Sequence, residues 1–344
     1  MKIDVYGRTI PSPIPFPGTG TGGGVTARIP SPFPWRKPIP INTRDIETNL
    51  DDFLKTSEPK VVQWLYSTWN AQEDALKYQE FRNALLGLTP DGAHVPQELL
   101  DHWRETYAAT INEQMVPVWR NAILAGAENI ARNFLNATDI PFSFTLEGSG
   151  VNVWIEQHGM ELAKELTDTQ AAAMRGIIQH FTMTEPVGSQ TLSRYLRPLM
   201  TLTEREAGWV INKRAALAKE GLIGTNLDRK VIDYSHFLER RRAERIARTE
   251  MATAHNMGKY EAMVQQEARA NAAGYVTTKR WSVHRDERLC DFCSALDGKE
   301  IGLRETFPHA AKGENGEQTF TFAPPGHVNC RCDTAYIVTS MADF

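Results

Sequence analysis

Cys290-Asp-Phe-Cys293 and, further on, Pro324-Pro-Gly-His327-Val-Asn-Cys330-Arg-Cys332 hold every cysteine of a chain that has only four. Thiolates bind Zn²⁺ strongly because the ion is borderline-soft and takes four tetrahedral N or S ligands. A C-x-x-C knuckle puts two sulfurs on one side of such an ion, and a second cluster closes the tetrahedron from the far end of a loop. Five donors compete for four places: Cys290, Cys293, His327, Cys330 and Cys332. Cys290, Cys293 and Cys330 are the expected core of the set, with His327 or Cys332 as the fourth ligand. Two sulfurs of one C-x-C strain when they bind a single ion, which favours His327. Two disulfides are the competing explanation: a C-x-C bridge has poor geometry, which leaves cross-pairing between the clusters. A full set of protein ligands keeps no coordination position open, so the expected Zn²⁺ is structural rather than catalytic.

At 344 residues the chain is long for one compact domain. A net charge of −4 argues against a molecule that binds nucleic acid or membrane over its whole surface. No run approaches the roughly 18 apolar residues of a membrane span. The start, Met-Lys-Ile-Asp-Val-Tyr, lacks the apolar core of a secretory signal. Synthesis in a cytosol follows, where thiols stay reduced and clustered cysteines bind metal.

Residues 1–43 differ from the rest. Prolines at 11, 13, 15, 17, 30, 32, 34, 38 and 40 flank Thr19-Gly-Thr-Gly-Gly-Gly24. Alternating prolines favour extended backbone, and the glycines make a joint. Ile14, Phe16, Ile29, Phe33, Trp35 and Ile39 interleave with them, more apolar side chains than a solvated linker carries. The expectation is an extended arm that docks on a partner through Phe33 and Trp35; a disordered tail is the bland alternative.

From about 44 to 266 the pattern is helical. Ser57 before Glu58-Pro59 predicts a helix start. Pro96 opens a longer helix that Pro117 should kink. Phe142–Leu146 is a candidate strand. Thr167-x-x-Gln170 and Thr203-x-x-Glu206 both have the spacing of a capping box and hint at a two-copy repeat. A long helix over roughly 229–266 carries Arg240-Arg-Arg-Ala-Glu-Arg-Ile-Ala-Arg-Thr-Glu250. Arg248 and Glu250 lie two positions apart and face different ways, so with His255 they make no catalytic set. Arg248 is expected to stack with Glu244, and the arginine cluster to form a solvated or partner-facing surface. Ala247, Ala254 and Gly258 form a narrow face suited to close helix packing. After Gly274 the period shortens. Strands are expected at Val276–Val283, Lys299–Leu303, Thr319–Phe322 and Ala335–Val338, a small sheet around an ion that contributes on the order of 10 kcal/mol of folding energy.

The expected fold is therefore mainly α, with a small α+β zinc-stabilised C-terminal module and an extended Pro/Gly-rich N-terminal arm. The expected segments are 1–43 (arm), 44–148 (long helices), 149–270 (helical domain) and 271–344 (zinc module).

The run Arg242-Ala-Glu-Arg-Ile-Ala-Arg-Thr-Glu250, Ala254-x-Asn256-x-Gly258, Trp281, Asp286-x-Arg288-x-Cys290-x-x-Cys293, Leu296-Asp-Gly298 and Pro324-Pro-x-His327-x-x-Cys330-Arg-Cys332 resembles the phage Mu F-like minor head protein family, the phage head morphogenesis proteins. The resemblance covers about residues 150–340; Val328 stands where that family usually has Pro. It implies a low-copy, non-enzymatic structural protein of a tailed-phage head, made in the host bacterial cytoplasm and carried in the virion. Its implied partners are the portal protein or the major capsid protein, with a role in DNA packaging or delivery. The competing readings are a metal-dependent HNH-type nuclease, for which His327, Asn329, His284, Asp286 and His309 are the available groups, and a DNA-organising protein inside the head. A one-metal nuclease needs a general base beside a hard-cation site. No such set has motif spacing here, and a zinc-bound His327 is not free to act as base.

Overall fold

The computed structural model describes residues 2–3, 9–10, 43–75, 97–183, 199–312 and 318–343. Phe33 and Trp35, and nearly all of the expected arm, lie outside these residues. The fold is mostly helical with a small C-terminal sheet, as the sequence predicts. In chain order the elements are β1 (Lys2–Ile3), β2 (Thr9–Ile10), α1 (Thr43–Ala75), α2 (Gln97–Thr110), a π-helical turn (Ile111–Met115), α3 (Val116–Ala137), α4 (Ser149–Met183), α5 (Glu204–Lys219), α6 (Gly224–Ala272), β3 (Tyr275–Ser282), α7 (Asp291–Leu296), β4 (Glu300–Gly302), β5 (Phe307–Lys312), β6 (Gln318–Thr321), β7 (Asp333–Ser340) and a closing 3₁₀ turn. They divide into two compact units: Pro59–Pro117 with Ile155–Arg245, and Met1–Glu58 with Val118–Trp154 and Ile246–Phe344.

In the first unit, Trp103, Met174, Ile177, Leu202, Val210 and Leu238 anchor an apolar core. A buried polar chain runs beside it. Trp69 Nε1 donates to Tyr107 Oη (2.9 Å), Tyr107 donates to Gln170 Oε1 (2.9 Å), and Gln170 Nε2 donates to Gln72 Oε1 (3.1 Å). Arg242 lies buried over the Trp69 ring, 5.6 Å from its centroid, and donates to the Thr201 carbonyl. The arginine cluster is thus not one solvated face: Arg240 and Arg241 are exposed, while Arg242 is core. Thr203 and Glu206 make the predicted capping box at the start of α5, with Arg245 donating to the Glu206 carboxylate. Thr167 does not start a helix. It sits inside α4 and its hydroxyl donates back to the Ala163 carbonyl at 2.8 Å, so the hinted repeat has only one real helix start. Ser57 is likewise interior. α1 begins at Thr43 and tolerates Pro59 within it, because Leu50, Leu54, Val61, Leu65 and Trp69 are buried along its length and hold it despite the missing N–H.

Pro117 cannot donate to the carbonyl four residues back, and the helix answers with the π-helical turn just before it. The Val116 N–H reaches the Ile111 carbonyl, five residues away. The irregularity expected at Pro117 thus takes the form of a wider, π-helical turn.

In the second unit, α3 and α6 touch backbone to backbone. A Cβ on Gly258 would lie 2.0 Å from the Ile123 carbonyl oxygen, and one on Gly126 would lie 2.0 Å from the His255 oxygen. Ala247 and Ala254 are fully buried, so the predicted small-residue face exists. Phe142–Leu146 is not a strand. Ser143 and Thr145 donate their N–H groups to the Gln266 and Gln265 side-chain oxygens (3.4 and 3.0 Å), and those same amides donate back to the Ser143 and Thr145 carbonyls. Two glutamines of α6 thus supply what a neighbouring strand would. Arg248 pairs with Glu58 rather than Glu244, through two bonds of 2.8 and 3.3 Å. His255 is buried with its ring 5.1 Å from Phe53, and burial together with the Lys259 cation holds its pKa well below the usual imidazole range.

The C-terminal sheet has the order β4-β3-β7, all antiparallel, with Lys279 opposite Tyr336 and Trp281 opposite Thr334. It is tied to α6 from below: Lys259 Nζ meets Asp333 at 2.5 Å, both fully buried, and the Thr334 N–H donates to Asn256 Oδ1. A second sheet has the order β2-β1-β6-β5 and includes β5, a strand the sequence did not suggest.

Candidate metal centre

Cys290 is the N-cap of α7. Its sulfur accepts the Cys293 N–H at 3.4 Å, which turns both sulfurs of the knuckle to the same side. The second cluster arrives on a tight loop. The Cys330 N–H bonds to the His327 carbonyl (3.1 Å), and Asn329 takes a left-handed φ of 61°, a conformation asparagine tolerates better than most residues. The Asn329 N–H donates to Thr249 Oγ1 (3.0 Å), which seats this loop on α6.

His327 Nε2 lies 3.2 Å from both Cys290 Sγ and Cys293 Sγ. Its Nδ1 faces the Val328 carbonyl at 2.9 Å, and since a carbonyl only accepts, Nδ1 carries the proton. That leaves Nε2 aimed at the sulfurs with its lone pair, the arrangement that outer-shell hydrogen bonds impose on metal-ligating histidines. Cys293 Sγ is 3.7 Å from Cys330 Sγ. Two triads of donors within 4.8 Å share Cys293: Cys290–Cys293–His327 and Cys293–Cys330–Cys332. A tetrahedral ion with Zn–S near 2.3 Å and Zn–N near 2.0 Å has S···S edges of about 3.8 Å and S···N edges of about 3.5 Å. The observed spacings are within tenths of an ångström of those values. All four cysteines are free of disulfides, so the cross-paired bridges are not made. All five donors singled out in the sequence come together, and the cluster can hold a metal ion.

The electrostatics agree. Hydrogen bonds from Cys293 and Cys332, aided by His327, hold the Cys330 thiol well below its ordinary pKa. Without an ion, the Cys330 hydrogen bond pushes His327 up to about 9, so that Nε2 carries a proton an ion would displace to use the lone pair, and the same sulfur raises Cys293 strongly. The thiols share protons within a buried group, and a dication is the natural replacement for those protons.

From the sequence Asp286 stands only among the groups available to a nuclease, and Arg331 has no role of its own. Arg331, between Cys330 and Cys332, donates both terminal nitrogens to the Asp286 carboxylate, whose oxygen also accepts the Arg288 N–H. The Arg331 bond pulls Asp286 down to about 2. This clasp ties the second donor cluster to the turn before the first. His284 stands 3.8 Å from Asp286 and 3.7 Å from Asp51. The Asp286 carboxylate is already engaged by Arg331, and the side chain of His309 is outside the described residues. Among the described residues the only grouped metal donors are those of the Cys/His cluster. Trp281, Leu296 and Phe307 pack against it from the protein side.

No helix of the described residues is long and apolar enough to cross a membrane. No curated protein and no solved structure matches the chain. Residues 214–335 match the family model described as Phage Mu protein F like protein. The matched span runs from α5 through α6 to β7 and takes in every donor of the cluster. By that match this segment of the chain is similar to the Phage Mu protein F-like proteins.

Proposed function

We propose that this protein is a structural minor head protein of a tailed bacteriophage. It is made in the host bacterial cytoplasm and carried in the virion, at the portal vertex or the capsid interior. The observation behind this reading is the coincidence of the family-matched segment with a cluster of five Cys and His donors, two triads that share Cys293. With at least four donors for a four-coordinate ion, no position remains for substrate, and the role is structural rather than enzymatic. Cys290, Cys293, Cys330 and His327 hold Zn²⁺, and Cys332 is a spare thiol packed beside it. His327 Nε2, turned to sulfur, is withdrawn from general-base work, which disfavours the nuclease reading. The segments 149–270 and 271–344 form the family's helical and zinc-binding parts. The arm 1–43, through Phe33 and Trp35, docks on the portal or major capsid protein, and contact with packaged DNA during packaging or delivery follows from that placement.

The test is incorporation. Heads assembled with a chain lacking residues 1–43 are purified and the protein is scored by immunoblot, with its position in intact particles located by tagged electron microscopy. Loss of incorporation is expected. Normal incorporation refutes the arm, and a location outside the head refutes the whole reading.

A further inference from the structure

Lys259 on α6 and Asp333 at the start of β7 form the most deeply buried ion pair among the described residues. Their side chains are 0% and 2% exposed, with Nζ 2.5 Å from Oδ2. An ammonium has three protons to place, yet Asp333 is its one hydrogen-bond acceptor among the described residues. The pair has no second counter-charge to lean on. His255, one turn earlier on the same face of α6, is itself held well below the usual imidazole range by burial and by the lysine. Burial also pulls the Lys259 amine below its ordinary pKa, although the Asp333 charge opposes this. The two oxygens of Asp333 have different partners. Oδ2 faces the amine, while Oδ1 accepts the Thr334 N–H at 2.7 Å. That N–H also reaches Asn256 Oδ1 at 3.2 Å, and the Asn256 amide is fixed by donating to the Ala252 carbonyl.

We propose that Lys259 and Asp333 condense within the folded chain to a side-chain amide that staples β7 to α6. The Nζ–Cγ bond forms and the Cγ–Oδ2 bond breaks. Two of the three ammonium protons depart with Oδ2 as one water, so the two charges cancel and no oxidant, reductant or cofactor is consumed. A pair of ions in a dry interior carries the desolvation cost of both charges, and their attraction repays it only in part. The amide keeps the same atoms less one water and bears no charge, so the burial that makes the ion pair costly drives its conversion. The arrangement also favours the rate. The reacting groups are held in contact, which replaces an encounter by a high effective concentration. The Thr334 N–H is already fixed on Oδ1, the oxygen on which negative charge gathers as nitrogen adds to Cγ. A hydrogen bond keeps the nitrogen near the carboxylate plane, and the broad terminal torsion of an aspartate lets the plane turn its face to the amine. The new bond closes a covalent loop from 259 to 333 that contains all five Cys and His donors. Loss of metal would then loosen the loop without freeing β7 from α6.

Mass spectrometry of the full chain, denatured, reduced and stripped of metal, reads this directly. The intact mass is expected to fall below the sequence mass by one water. Trypsin should leave residues 249–269 uncleaved at Lys259 and joined to the peptide that begins at Cys332. Lys259→Arg keeps the positive charge and should show its full sequence mass. Asp333→Asn should give the same joined peptide with loss of one ammonia in place of the water. A full sequence mass with a free 249–259 peptide in the unmodified chain overturns the proposal, as does a missing water that persists in Lys259→Arg.

Discussion

Gly258→Ala places a methyl group where α3 passes. The new Cβ would stand 2.0 Å from the Ile123 carbonyl oxygen and 2.7 Å from its carbonyl carbon, whereas real Cβ atoms essentially never come within 3.0 Å of such neighbours. The obstacle is backbone inside a helix, so it cannot rotate aside, and the two helices must part by about 1 Å. A gap of that size forfeits a quarter to a half of the dispersion energy of each contact it opens. The seam it opens is lined by Ala127, Ile130, Phe134, Ala262 and Met263. Overpacking of this kind costs about 1–3 kcal/mol and more where backbone is the wall. Alanine's better helix propensity returns about 1 kcal/mol; because the wall is backbone, the cost falls at the upper end of that range, leaving a net loss of about 2 kcal/mol. Gly208→Ala is the internal control, because its Cβ would meet nothing within 4 Å and only the propensity gain of about 1 kcal/mol remains. Urea denaturation followed by circular dichroism should therefore move the two midpoints in opposite directions. If Gly258→Ala is as stable as Gly208→Ala, the backbone contact between α3 and α6 is not made in solution.

Metal analysis of the purified chain should return one Zn²⁺, retained in Cys332→Ser and lost in His327→Ala; the reverse pattern exchanges their roles. Chelation should deprotect 290–296 and 327–332 to hydrogen exchange, and Arg331→Ala, which opens the clasp to Asp286, should lower the metal affinity about 10- to 100-fold by competition with a chelating dye. Gln266→Ala strands the Ser143 N–H and carbonyl, costing about 1–3 kcal/mol with faster exchange confined to 142–146. Burial alone would raise the Glu206 carboxyl, but Arg245 and the Thr203 cap outweigh it and hold the pKa below 4.5. Its contribution to stability is therefore complete above that pH and lost as pH falls through the lower folded value, and Glu206→Gln should flatten the acid limb of a stability–pH curve.

What was legible in the chain was what neighbouring residues decide. The Thr203 cap, the long α6 helix, the small-residue face ending at Gly258 and the five donors all announce themselves within a few positions. The misreadings came from partners far along the chain. Ser57 and Thr167 have the local chemistry of helix starts, yet packing of the flanking apolar positions carries the helix through both. Phe142–Leu146 alternates like a strand, but its hydrogen bonds come from Gln265 and Gln266, more than a hundred residues later, which no local pattern encodes. Arg248 finds Glu58 and Arg331 finds Asp286 for the same reason.

The donors of the metal cluster come in two instalments, Cys290 and Cys293 early and His327 to Cys332 late, with β7 following at once to pair with β3. A polypeptide interrupted before Cys330 could neither saturate an ion nor finish its sheet, and its apolar underside would stay in water. The two donor groups therefore make the module's compactness depend on both of its halves: without residues 327–340 neither the second set of donors nor the strand opposite β3 is present.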